Sequence, residues 1–219
     1  VSAALGAVVL FVAACGGTKP IGRPVATQPP AAAATDGDTP EANLRVQLTD
    51  LLNQHVALAS AATGAALGGR TAEFQAAAAT LDQNSVAIAH LIGSVYGSDA
   101  ETAFLQGWRN HIGFFVDYTQ ADATHDEAKK QKALDDLNNY ALQVAQFFNA
   151  ANGMPLDATV TLMKQHVVTL TSVIDAQAAG DQTAVYSKLA TSMAHMEMVA
   201  DPIAAATARK FPQRFAVNR

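Results

Sequence analysis

The sequence predicts an all-α, up-down helical bundle of about six helices, and three observations predict it. Strand patterning is weak from Leu44 onward. Alanine, the strongest helix former, dominates a chain that is 50% hydrophobic but only 6% aromatic. Breakers recur at helix-length intervals: Gly68-Gly69, Gly97, Gly153 with Pro155, and Gly180. The 219 residues allow one domain of ordinary size with further segments beside it.

Residues 1–15, VSAALGAVVLFVAAC, come first. An apolar run ends there in two small residues before Cys15, which is the pattern of a secretory signal. Val12-Ala13-Ala14-Cys15 resembles the lipobox of bacterial lipoproteins. That resemblance implies acyl chains on Cys15 and a protein tied to the outer face of the cell membrane. No Lys or Arg precedes the apolar run, which departs from the pattern. Residues 16–42 hold five of the eight prolines and little to bury, so they read as a disordered Pro/Ala-rich tether. The bundle domain is then 43–219.

Six helices follow from periodicity and breakers. The first runs from about Ala42 to Leu67 and the second from about Thr71 to Tyr96. The third starts at Ser98, which with Glu101 makes a capping-box pattern, and ends near Ala121. The fourth spans about Asp126 to Ala151, and the fifth about Asp157 to Ala179. The sixth starts near Asp181 and is expected to bend or break at Pro202. The closing Phe211-Pro212-Gln213-Arg214-Phe215 is expected to clamp onto the bundle.

The odd-numbered helices share a short string: Leu52-Asn53-Gln54-His55-Val56, Trp108-Arg109-Asn110-His111-Ile112 and Met163-Lys164-Gln165-His166-Val167. The histidines are spaced by 56 and then 55 residues, which suggests three αα-hairpin repeats. In an up-down bundle the odd helices are parallel, so His55, His111 and His166 sit at one height. Folding each hairpin about its turn brings Asn84 beside His55, Asn138 or Asn139 beside His111, and His195 beside His166. A polar layer through the middle of the bundle results.

Such a layer costs stability unless each group is hydrogen-bonded or coordinated. One reading is a register-fixing His–Asn network. The other is a transition-metal site, because imidazole is a common ligand of zinc and copper. His55, His111 and His166 would be ligands, with His195 a fourth. Met193, Met196 and Met198 flank His195, and thioethers suit copper(I). On a helix His195 and Met198 share a face, so Met198 is the favoured sulfur and Met193 and Met196 are alternatives. Asn84, Asn138, Asp82 and Asp117 are secondary candidates, the two aspartates because they stand in apolar stretches. His90 and His125 are expected outside the layer.

Other chemistries find less support. Ferritin-like sites need Glu-x-x-His on two helices, and none is present. Nucleophile elbows, His-Glu-x-x-His and phosphate loops are absent too. A single cysteine allows no internal disulfide. A net charge of −5 with no polybasic run argues against nucleic acid.

Tyr96-Gly97, the run WRNHIGFFVDY from Trp108 to Tyr118, Ala194-His195-Met196 and the FPQRF ending resemble a group of exported bacterial helical-bundle proteins of poorly defined function. The resemblance implies an all-α fold and an extracytoplasmic place, and brings no activity with it. The expected protein is therefore a non-enzymatic lipoprotein that binds copper or zinc. It would sequester or deliver the ion at the cell envelope, alone or with an envelope protein partner. Its affinity should fall as the histidines protonate, near pH 6. The alternative is a structural or protein-interaction lipoprotein whose polar layer only fixes register.

Overall fold

The computed structural model describes residues 39–216; Cys15 and the part of the expected tether ahead of Thr39 lie outside the described residues. Six helices account for nearly all of them: α1 (Pro40–Leu67), α2 (Thr71–Tyr96), α3 (Ser98–Ala123), α4 (Glu127–Asn152), α5 (Leu156–Ala178) and α6 (Gln182–Lys210). None of these helices is long and apolar enough to cross a membrane.

Local chemistry sets most ends. Thr39 Oγ1 accepts from the Ala42 amide, and Pro40 takes the first helical position, where its missing N–H costs nothing. α1 thus begins two residues earlier than Ala42. Asp126 caps α4 through the Lys129 amide, and Asp181 caps α6 through the Ala184 amide. Gly97 alone joins α2 to α3 with φ 97°, a conformation that side chains disfavour. That turn displaces the expected capping box. Gly97 holds the N-cap position, Ser98 is already helical, and Glu101 turns instead towards His90, 3.4 Å away.

Pro202 neither breaks nor interrupts α6. The carbonyl left without its amide belongs to Met198, a residue 61% exposed, so water is available to it. The C-terminal clamp forms: Arg214 donates to the Val95 carbonyl at 2.7 Å, Phe211 packs edge-on to Tyr96, and Phe215 rests on the core.

The links are short and consecutive helices pack together, which gives antiparallel neighbours. α1, α3 and α5 touch one another at the centre. α2 lies against α1 and α3, α4 against α3 and α5, and α6 against α5 and α1. The three hairpins therefore close in a ring. Internal triplication still rests on the shared strings alone. Val56, Ile88, Leu137, Leu170 and Ile174, all fully buried, hold the core together.

Candidate metal centre

The three inner helices each carry one histidine of the shared string to the middle of the ring. His55 is 1% exposed and His111 2%; His166 is partly buried, with its Nδ1 enclosed. One nitrogen from each ring lies within 4.8 Å of the others. The residue three positions earlier in each string lies on the same helical face. Leu52, Trp108 and Met163 accordingly line the same small cavity as the three imidazoles, about 40 Å³ in volume. Tyr140 and Met196 line it as well, and the rest of its wall is apolar.

The rings are wedged by aromatic contacts rather than tethered by hydrogen bonds. His111 stacks on Tyr140 at 4.7 Å with 9° between planes, and Trp108 sits 4.6 Å from His111 and 4.8 Å from His55. Both nitrogens of His55, Nδ1 of His111, Nδ1 of His166 and Nε1 of Trp108 are buried without a partner. Among the described residues these are five of the eight buried side-chain polar atoms in that condition, so the shortfall is concentrated here.

Burial keeps the rings neutral. It pushes His55 down to about 3, helped by nearby His166. It pushes His166 down to about 4, helped by His195. His111 is held well below the usual range by burial and then by His55 and His166, opposed in part by the Trp108 backbone. Protonation of the folded triad therefore moves well below the expected pH 6.

A neutral imidazole offers a lone pair, as a metal ligand must. A point equidistant from three atoms 4.8 Å apart is about 2.8 Å from each, against about 2.0–2.1 Å for a zinc–imidazole bond. At that upper limit of separation each ring would close in by roughly 0.7 Å to grip an ion.

Other expected members are placed differently. His195 is buried on α6, but its Nε2 donates to the Leu162 carbonyl at 3.0 Å, and it is outside the cluster. Met198, expected on the ligand face, points to solvent. Met196 is the buried methionine, because Met196, Val199 and Ile203 form the inward stripe of α6. Met193 is partly buried against the core. The Asn84 amide donates to the Leu51 carbonyl and that of Asn138 to the Leu134 carbonyl, so neither meets a histidine. Asp82 is on the surface paired with Arg109, and Asp117 is exposed; the apolar stretches around them face the other way. His90 and His125, expected outside the layer, are exposed and are not in the cluster.

Sequence reasoning overlooked Trp108, Tyr140 and Met163 as wall residues. The i−3 spacing inside the shared string was the available signal for Trp108 and Met163; Tyr140 left none. No family model, curated protein or solved structure matches this chain.

Proposed function

We propose that this protein binds a transition metal ion, copper or zinc, through His55, His111 and His166, and sequesters or delivers it at the cell envelope. One observation carries the proposal: two buried imidazoles and one partly buried one offer nitrogens within 4.8 Å of one another, and their enclosed nitrogens have no hydrogen-bond partner. Groups so buried ordinarily find partners, and a bound ion would supply one to all three rings. Acylation of Cys15 would hold the domain at the extracytoplasmic face of the cell membrane, with the expected tether of residues 16–42 shortened at its end by α1, which starts at Pro40.

The rival reading, a register-fixing His–Asn network, loses its main support. Asn84 and Asn138 bond to backbone carbonyls of Leu51 and Leu134, not to the histidines. Water is the competing occupant, since the cavity exceeds the ~10–15 Å³ one molecule needs.

The test is elemental analysis of the untagged protein after dialysis against copper and against zinc. A His55→Gln, His111→Gln, His166→Gln variant runs beside it. About one ion per parent chain and none in a still-helical variant is the expected result. A folded parent that carries no metal sinks the proposal and leaves water as the occupant.

A further inference from the structure

We infer that the triad cavity selects a soft univalent cation, Cu(I), over divalent zinc or copper. This rests on the metal-binding reading above and refines it.

Charge is the first reason. No carboxylate and no thiolate lines the cavity; its polar groups are neutral imidazoles, an indole and a phenol. A divalent ion held there keeps both charges uncompensated. The cost of burying an ion grows with the square of its charge, so a univalent ion incurs about a quarter of it.

The far side of each imidazole gives the second reason. Histidines that hold divalent ions generally donate their other ring N–H to a carboxylate or carbonyl, which strengthens the ligand. Neither nitrogen of His55 has any such partner. Whichever one faces the ion, the other stays unsupported.

Donor set and number supply the third. Met163 and Met196, the two methionines of the lining, are the residues that can offer thioethers to the same cavity. Thioether sulfur favours Cu(I) and adds little for zinc. Zinc in structural sites takes four ligands. The nearest further imidazole, His195, has its Nε2 committed to Leu162. Three nitrogens in a cavity that two methionines also line suit Cu(I) better than a tetrahedral dication.

The experiment uses the full chain without metal. Cu(I) is titrated anaerobically against a chromophoric Cu(I) chelator; zinc sulfate and copper(II) sulfate are titrated separately against a divalent-ion chelator. The Cu(I)-loaded protein is then exposed to air and followed by electron paramagnetic resonance. Expected are one Cu(I) per chain, at least about a thousandfold tighter than zinc, and no Cu(II) signal in air. A Met163→Leu, Met196→Leu variant should weaken Cu(I) by about tenfold and zinc by less than about threefold. Met163→Leu alone, at a partly buried position, serves if the double variant does not fold. Zinc or Cu(II) bound within about tenfold of Cu(I), or a Cu(II) signal growing in air, overturns the univalent preference. If that binding disappears in the triple His→Gln variant, the metal centre itself stands. A folded chain that binds none of the three ions removes both readings.

Discussion

Two buried polar clusters of this bundle make a useful pair. Where α2, α4 and α6 come together beside Met154, Tyr96, Asn152 and Thr207 form a closed network. The Tyr96 hydroxyl bonds with Thr207, the Asn152 amide donates to Tyr96 at 3.1 Å and to Thr207 at 3.3 Å, and its carbonyl oxygen accepts from the Met154 amide. In the middle of the ring, the three histidines have nothing of the kind. The first cluster shows what fixing helix register looks like in this protein. The second is built from groups equally able to hydrogen-bond, yet it leaves them open. Satisfied polar clusters stabilise and specify, whereas open ones are a standing cost. The contrast is what makes a ligand the economical explanation for the triad.

Acid should expose that cost most strongly. His55 and His166 titrate near 3 and 4 in the folded apo-protein, against about 6.5 when unfolded. As pH falls, the unfolded chain takes up protons first. Stability present above pH 6.5 is therefore lost as pH drops towards the folded values, at about 1.4 kcal/mol per group per pH unit. Urea unfolding at pH 7 and pH 5 should differ by about 4 kcal/mol from His55 and His166 alone, with His111 adding in the same direction, and the triple His→Gln variant should lose most of that difference. An unchanged midpoint would break the view of the triad as buried and neutral.

A third cluster tests whether charge behaves like the closed network. Lys130 bonds to Asp122 and Asp175, lies over the Tyr118 ring, and Tyr118 donates to Asp175. Asp122 and Lys130 are mostly buried; Asp175 is about half exposed. Lys130→Met should cost about 2–3 kcal/mol in thermal or urea unfolding, less than a fully buried pair because water reaches Asp175. A smaller loss would put this cluster with ordinary surface pairs.

The sharpest comparison is one of sign. Asn152→Leu should destabilise the apo-protein by about 1–3 kcal/mol, since it strips partners from Tyr96, Thr207 and Met154. His55→Leu should stabilise it by about 1 kcal/mol, because an apolar group replaces a ring with two unpartnered nitrogens. Equal losses at both positions would mean that the triad is satisfied after all. At the small end, Arg109→Ala removes the exposed pair with Asp82 and should leave the urea midpoint nearly unmoved in the same assay.

Much of this architecture was legible in the sequence, for reasons that can be named. Glycines and Asp caps mark helix ends because they act through their own backbone or the next turn. The convergence of His55, His111 and His166 could be read because parallel helices at equal spacing carry equal positions to equal height. What failed depended on atoms from elsewhere in the chain. His195 had the right height, but whether its Nε2 met a ligand or the Leu162 carbonyl depends on the rotation of α6. The same rotation decided between Met196 and Met198. Pro202 survived inside a helix because the carbonyl it orphans is near water, and that burial pattern is tertiary. Ser98-x-x-Glu101 lost its capping role to the tightness of a one-residue turn.

The depth of the triad has a consequence for time rather than affinity. His55 lies twelve residues from the end of α1, about 18 Å along the axis, and the histidines of α3 and α5 sit at matching positions. An ion held at the centre would sit among three inner helices that touch one another, with α2, α4 and α6 packed outside them. Exchange of such an ion would draw on local openings of the bundle. A weakly held occupant would then be slow to escape. Under the proposed function, handing the ion to another protein would require that partner to loosen the ring first.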